Sequence, residues 1–185
     1  MKRTWVALLY SIVLTEGRRL VMADLRALAE ELGYLRPRTL LATGNLIFEA
    51  AAEDAAAVEA VLEPAFAARF GKPIPIIVRP ASAWPRLIRG NPFPEASARE
   101  PARVAVRVMR RPVGRELVGR FEPYRGEAER LEVVDGDIWV YLPDGIAASR
   151  LSGVLTPARA GGAGTFRNWN TVQKIGARLD QDSAE

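Results

Sequence analysis

The sequence predicts an α+β fold built from two small units, each with an antiparallel or mixed sheet and helices on one face. Residues 1–80 follow the order β-α-β-β-α-β, and residues 81–185 repeat part of that order. The 185 residues are 49% hydrophobic and 26% charged, which is enough apolar material for a packed core. We therefore expect an N-terminal module over residues 1–80 and a C-terminal module with a terminal helix over residues 81–185.

Apolar spacing and turn residues define the elements of the first half. Leucines recur at helical spacing between residues 25 and 32, and Gly33 is expected to end that helix. The turn Thr43-Gly44-Asn45 joins two short apolar runs, a pattern typical of a hairpin. Pro64 is expected to kink or divide the Ala-rich helix around it, because proline lacks the amide donor. In chain order the predicted elements are a strand at 4–9, a helix ending at 33, strands at 38–42 and 46–48, a helix at 53–70 and a strand at 75–79.

The second half contains an alternating strand, a hairpin and a terminal helix. Val104, Val106 and Val108 alternate with arginine and alanine, which predicts a strand with one apolar and one basic face. Asp135-Gly136 is a strong hairpin signal, because glycine tolerates the positive φ of a type I′ turn. Short helices are predicted at 81–89 and 114–124. A Gly-rich loop at 161–164 is expected to lead into a last helix at 169–179.

The chain contains no cysteine and no histidine. It therefore cannot form a Ser-His-Asp triad, a cysteine nucleophile, a redox pair or an ordinary zinc site. Asp135-Gly136-Asp137 has too few oxygen ligands for calcium, so we interpret it as a turn. We predict no metal, no cofactor and no catalytic residue, and the composition argues against an enzyme.

Arginine dominates the basic residues of this chain. The formal charge is +4, and only Lys2, Lys72 and Lys174 are lysines. Residues 81–120 hold nine basic and three acidic residues, so the excess positive charge is concentrated there. The guanidinium group suits phosphate or carboxylate, which favours an anionic partner, whereas the plainer interpretation is a solvated surface.

An apolar run from Trp5 to Leu14 follows Lys2 and Arg3, as in a signal peptide. No small-x-small cleavage pattern follows, and the run is shorter than the roughly 18 residues that a membrane span needs. We therefore expect a cytoplasmic protein that does not enter a membrane.

Several motifs resemble the bacterial domain of unknown function family 1697 (DUF1697). They are Trp5-Val6-Ala7-Leu8-Leu9, Met22-Ala23-Asp24-Leu25, Thr43-Gly44-Asn45, Asn91-Pro92-Phe93, Pro143-Asp144-Gly145, Ser149-Arg150-Leu151-Ser152 and Arg167-Asn168-Trp169-Asn170-Thr171-Val172. The resemblance implies two ferredoxin-like βαββαβ-type modules in a cytosolic protein of a family with no established activity. The segment Tyr10–Glu16 departs from the family pattern, because the Arg-Gly-Ile-Asn-Val-Gly-Gly loop usual there is missing. The resemblance therefore does not imply a glycine-lined anion pocket in that loop.

The first candidate site is an anion site near the C-terminus. A Gly-rich loop before a helix offers free amides, and basic and amide side chains at helical spacing would extend the site. Ser149 and Arg150 join it if the fold brings them near Arg167. The alternative is an amphipathic helix docked on the core, with Asn168 as its N-cap. The candidate residues are Ser149, Arg150, Arg167, Asn168, Asn170 and Lys174.

The second candidate site is a nucleic-acid surface on the sheet of the C-terminal module. Arg103 and Arg107 share one face of their strand, and Trp139 and Tyr141 share one face of theirs. If these faces coincide, two aromatic rings and two arginines cover one open surface suited to single-stranded nucleic acid. The alternative is that this face is buried between the modules or in a homodimer.

The preferred function is a non-enzymatic module that binds an anionic ligand, either single-stranded nucleic acid or a phosphate-bearing small molecule. The alternative is an assembly protein whose sheet face forms a dimer or partner interface. A third hypothesis is an enzyme without histidine or cysteine that acts on a nucleotide-like substrate.

Overall fold

Each half of the chain folds around its own four-stranded antiparallel sheet, as seen in a computed structural model that describes residues 2–184. Two compact units meet in the sequence between Trp84 and Pro85. Both sheets have the strand order of a ferredoxin-like βαββαβ module, with the first and third strands in the centre. The predicted α+β class with two ferredoxin-like modules is confirmed.

The N-terminal unit has the sheet order β2-β3-β1-β4. All of its strand pairs are antiparallel, and short 3-10 turns lie at Thr15–Gly17 and Ala81–Ala83. Its elements are β1 (Arg3–Leu9), α1 (Met22–Glu31), β2 (Leu35–Leu40), β3 (Asn45–Ala50), α2 (Ala55–Phe70) and β4 (Ile76–Pro80).

Helix α2 is one continuous helix of 16 residues despite Pro64 in its interior. The Asp54 side chain accepts a hydrogen bond from the Ala57 amide (2.8 Å) and caps its N-terminus, and Gly71 ends it with φ of 73°. Leu62 and Phe66 on α2 are fully buried against the sheet. Burial of each such side chain stabilises the fold by about 1.5–3 kcal/mol, so packing holds the helix together across the proline and the expected division is wrong.

One face of the N-terminal sheet carries a continuous apolar core. Trp5, Ala7 and Leu9 project from β1 onto this face and pack with residues of α1 and α2. Tyr34 and Phe48 stack at its side, with ring centroids 4.4 Å apart. The alternation in β1 therefore places the helices on one face, as period-two patterning requires.

The C-terminal unit has the sheet order β6-β7-β5-β8, followed by an additional terminal helix. Helix α3 (Trp84–Arg89) lies at the boundary in the sequence. The remaining elements are α4 (Pro94–Arg99), β5 (Val104–Met109), α5 (Leu117–Phe121), β6 (Arg130–Val134), β7 (Asp137–Tyr141), α6 (Arg150–Val154), β8 (Gly164–Asn168) and α7 (Trp169–Ala184).

Two predictions for the C-terminal unit need correction. The Gly-rich loop leads into strand β8, which pairs with β5, and only then does α7 begin. The helix predicted at 114–124 is the five-residue α5 followed by a 3-10 turn at Glu122–Tyr124. The hairpin at Asp135-Gly136 is present, and both residues have positive φ (52° and 85°), as a type I′ turn requires.

Strand β5 is buried along its whole length. Ala105 and Met109 pack with residues of α5 and α6 on one face, and the three valines on the other face are also buried. Arg107 lies among the core residues of the first face, so the predicted basic face of this strand is wrong. Within the part of the chain that the structure describes, every helix falls short of the length or hydropathy needed to cross a membrane.

Candidate anion-binding cleft

The predicted anion site at the C-terminus does not form around Arg167. This residue lies on β8 rather than on the terminal helix, and only 7% of it is exposed. Its Nη1 donates hydrogen bonds to Thr165 Oγ1 (3.0 Å) and to the Phe166 carbonyl (2.7 Å). Burial lowers the pKa of Arg167 to about 10, because the charged form loses its hydration. The group is still charged at neutral pH, but it is held inside the fold.

The other residues of that set have local structural roles or lie elsewhere on α7. Asn168 Oδ1 accepts hydrogen bonds from the Thr171 amide (3.0 Å) and hydroxyl (2.9 Å), so Asn168 is the N-cap of α7. Asn170 is half-buried and Lys174 is exposed on α7. The Ser149 hydroxyl accepts from the Ser152 amide (3.2 Å) and caps α6 in the same way.

Arg150 is separated from Arg167 by the sheet. Helix α6 packs through Leu151 on the sheet face that carries Ala105. Arg167 pairs with Val106, whose side chain points to the opposite face. The fold therefore does not bring the residues of the predicted anion site together.

The predicted nucleic-acid surface is also not a single surface. The register places Arg107 opposite Ile138 and Val106 opposite Trp139, so Arg107 and Trp139 lie on opposite faces of the sheet. Arg107 is 2% exposed beside the Phe166 ring (5.5 Å), and Trp139 is 1% exposed with its ring 6.0 Å from that of Trp169.

The expectation of one open surface is therefore wrong. Alternation shows which residues of one strand share a face, but only the register between strands shows which faces of two strands coincide. Trp139, which the assembly hypothesis places at an interface, is buried within the single chain. Arg103 precedes β5 and is exposed, with its guanidinium against Gly145. Tyr141 lies at the end of β7 and is partly exposed.

Tyr141 borders a cleft of about 280 Å³ that lies within the C-terminal unit. The segment that contains α4 forms one wall, and the paired ends of β6 and β7 form the other. Arg130 and Tyr141 are directly opposite in the β6-β7 register, so their side chains share one face of the sheet. The cleft is lined by Pro92, Phe93, Pro94, Glu95, Ala96, Arg99, Arg130 and Tyr141.

Local hydrogen bonds order the α4 wall. Asn91 Oδ1 accepts from the Phe93 amide (2.9 Å), and Asn91 Nδ2 donates to Ser97 Oγ (2.7 Å). Pro94 occupies the first turn of α4, where its missing N–H costs no helical hydrogen bond. Phe93 is buried and anchors the segment, so Arg99 at the end of α4 is placed at the cleft.

The charges at the cleft come from Arg99, Arg130 and two glutamates. The Tyr141 hydroxyl donates to Glu100 Oε2 (2.7 Å), and this hydrogen bond raises the pKa of Tyr141. The positive charges of Arg99 and Arg130 act on the same pKa in the opposite direction. Among residues 2–184, neither of these two guanidinium groups has a hydrogen-bond or ion-pair partner. Both arginines are exposed, so both are accessible to an anion.

The sequence contains a signal for one wall of this cleft, the one formed by Arg130 and Tyr141. Counting outward from the two-residue turn at Asp135-Gly136 pairs Arg130 with Tyr141, as the structure shows. The contribution of Arg99 depends on the tertiary position of α4, for which the sequence has no comparable signal. Glu95 is the carboxylate that lines the cleft, and no group of three or more acidic residues within 2–184 is arranged to hold a metal ion.

Residues 1–139 match the family model described as protein of unknown function (DUF1697). The chain belongs to the DUF1697 family. The matched region of this DUF1697 chain includes α4 and Arg130 and ends two residues before Tyr141.

A structural comparison gives the same fold over the whole length. The chain is similar to the conserved bacterial protein SP0830 from Streptococcus pneumoniae, with 21% identity and a TM-score of 0.74. The match covers 97% of this chain and 99% of that one. No curated protein matches the sequence. The comparisons thus show the family and the fold.

Proposed function

We propose that this protein is a non-enzymatic binding module for a ligand that joins a phosphate group to a planar ring, the chemistry shared by nucleotides and single-stranded nucleic acids. The observation that carries the proposal is the pair of exposed arginines, Arg99 and Arg130, beside the Tyr141 ring in the cleft. Guanidinium groups bind phosphate through two parallel hydrogen bonds. An aromatic ring next to them can stack on a base.

The size of the cleft favours a small ligand or one unit of a polymer. Its volume of about 280 Å³ is near the lower end of the range for small-molecule pockets. Phe93, Pro92 and Ala96 supply apolar wall, and the polar groups lie where the ends of β6 and β7 meet it. An apolar wall with a small number of polar groups that fix orientation is typical of small-molecule sites.

The glutamates at the cleft restrict the ligand further. Glu100 already accepts the hydrogen bond of the Tyr141 hydroxyl, which holds the tyrosine ring in position. Glu95 lines the cleft and can accept a hydrogen bond from an amino or hydroxyl group of the ligand. A ligand with donors on its ring or sugar and a phosphate at one end satisfies all of these groups.

The test is a calorimetric titration of uridine monophosphate at low salt into the wild-type protein and two double variants. Arg99→Ala with Arg130→Ala should weaken binding at least about tenfold, because it removes charge-assisted hydrogen bonds to the phosphate. Arg115→Ala with Arg120→Ala removes the same charge from two exposed residues outside the cleft and should keep most of the affinity. Equal affinities of the two double variants, or no binding by the wild type, would overturn the proposal.

A further inference from the structure

A second group of arginines surrounds Tyr124 in the C-terminal unit. The Arg150 and Arg159 guanidinium carbons lie 5.1 Å and 4.8 Å from the centre of the Tyr124 ring. Arg159 Nη2 also donates a hydrogen bond to the Tyr124 hydroxyl (2.8 Å). We refer to Tyr124, Arg150 and Arg159 as the Tyr124 cluster. Both arginines are exposed, so two positive charges meet on one ring at the surface.

No carboxylate within residues 2–184 neutralises the arginines of the Tyr124 cluster. The neighbouring Arg125, in contrast, pairs with Glu122 (2.9 Å). A tyrosine ring offsets only part of the repulsion between two guanidinium groups, because a cation–π contact at an exposed site is weak. A bound phosphate would complete the cluster, since its oxygens accept hydrogen bonds from both arginines.

The Tyr124 cluster and the cleft are close along the chain. Arg130, which lines the cleft, follows Tyr124 by six residues, and six residues span at most about 20 Å. The turn between them is tied by hydrogen bonds from Arg125 Nη1 to the Glu129 carbonyl (2.7 Å) and from the Gly126 amide to Glu129 Oε2 (2.8 Å). Glu129 is thus engaged within the turn, and Glu122, which precedes Tyr124, pairs with Arg125.

The Tyr124 cluster and the cleft lie on opposite faces of the sheet, beside its β6 edge. Tyr124 packs on the sheet face that α5 and α6 cover, whereas Arg130 projects from the opposite face with Tyr141. Strand β6 is the edge strand of this sheet, so a flexible ligand can pass around it from one face to the other. A mononucleotide, with one phosphate, can occupy only one of the two places.

We propose that the ligand of the cleft is a single strand of nucleic acid that passes around the β6 edge and places a further phosphate on the Tyr124 cluster. This inference rests on the proposed function, because it extends the ligand already assigned to the cleft. The cluster contributes affinity for the phosphate chain and does not read the base, as backbone contacts generally do not. Its contribution therefore appears only with a ligand longer than one nucleotide.

The test compares uridine monophosphate with a fluorescein-labelled ten-nucleotide oligouridylate, the latter measured by anisotropy at several salt concentrations. Arg150→Ala with Arg159→Ala should weaken oligonucleotide binding about tenfold. It should also reduce the slope of log affinity against log salt by about 0.7, because one phosphate contact on a single strand is lost. The Arg115→Ala, Arg120→Ala variant is the matched control for lost charge. Arg150→Gln with Arg159→Gln, checked by circular dichroism, serves as a second variant that retains side-chain volume.

The outcomes separate this inference from the proposed function. If the cluster variant matches the Arg115, Arg120 control in oligonucleotide affinity and salt slope, the inference is overturned. The same follows if ten nucleotides bind no more tightly than one. In either case, if the Arg99, Arg130 variant loses monophosphate binding and the cluster variant does not, the proposed function of the cleft is still supported. If that variant binds the monophosphate as the wild type does, the proposed function fails instead.

Discussion

The two units share one strand order but divide the chain differently between helices and loops. In the N-terminal unit, α1 and α2 have 10 and 16 residues. The corresponding helices of the C-terminal unit, α5 and α6, have only five residues each. Both sheets have four strands, but the connections of the C-terminal unit that contain α5 and α6 consist mostly of turns and loops. Binding residues most often lie in such segments.

The charged side chains of the two units also differ in what they contact. In the N-terminal unit they support the architecture, since Arg69 pairs with Glu31 between α1 and α2, and Arg36 pairs with Glu49 between β2 and β3. In the C-terminal unit, the arginines of the cleft and of the Tyr124 cluster have no carboxylate partner within the described residues. The C-terminal unit also has ion pairs of its own, such as Arg125 with Glu122, so the difference between the units is that it has, in addition, arginines available for a ligand.

The largest stability effect is expected at the edge of the N-terminal sheet. Glu59 and Glu63 on α2 accept hydrogen bonds from the Val78 (2.9 Å) and Ile76 (2.7 Å) amides of edge strand β4. Glu59 is buried, so Glu59→Ala leaves a buried N–H without its acceptor and should cost about 1–3 kcal/mol in urea unfolding. Glu59→Gln keeps an acceptor oxygen and should recover part of that loss. A Glu59→Ala protein as stable as wild type would contradict the structural role of charge in this unit.

The helix caps allow the two units to be compared at equivalent positions. Asp54 caps α2 and Ser149 caps α6, and these helices occupy the same place in their modules. Asp54→Ala should cost about 1 kcal/mol, because it removes both the hydrogen bond and a negative charge at the positive end of a long helix. Ser149→Ala should cost less, since α6 is short and its cap is uncharged. Thermal unfolding of both variants measures the difference, and a larger loss for Ser149→Ala would reverse the comparison.

Local chemistry predicts most of the elements of both units from sequence. A continuous apolar run identifies β1, alternation identifies β5, and the two hairpins follow from Thr43-Gly44-Asn45 and Asp135-Gly136. Strand β8 escapes prediction because Thr165, Phe166 and Arg167 show no apolar alternation and become a strand only through pairing with β5. The fold is therefore predictable where period and turn residues agree, and it is missed where tertiary pairing alone decides.

The candidate sites were harder to predict because they depend on which faces coincide. Because arginine is charged and binds anions, its presence in the sequence favours an exposed anion site. Arg107 and Arg167 are instead buried, on two different faces of one sheet. Tyr141 remains a candidate because it lies at the end of its strand, where the sheet is not covered completely. Its arginine partners are Arg99 and Arg130 rather than those that strand alternation suggested.

The smallest expected effect concerns the ion pair of Arg86 with Asp135, which is a structural use of charge inside the C-terminal unit. Arg86 donates to both carboxylate oxygens (2.9 and 2.6 Å), and these hydrogen bonds lower the pKa of Asp135 below its ordinary value of 3.8. Because the pKa is lowered on folding, the stabilisation is present above that ordinary value and is lost as the pH falls through the folded one. Asp135→Asn retains a side chain that tolerates the φ of 52° in the turn and removes only the charge. It should reduce stability slightly at pH 7 and not at pH 2, measured by urea unfolding, because an exposed ion pair contributes little. A loss at pH 7 larger than that of Glu59→Ala would contradict the expectation that this exposed ion pair stabilises its unit less than the buried Glu59 hydrogen bond stabilises the N-terminal unit.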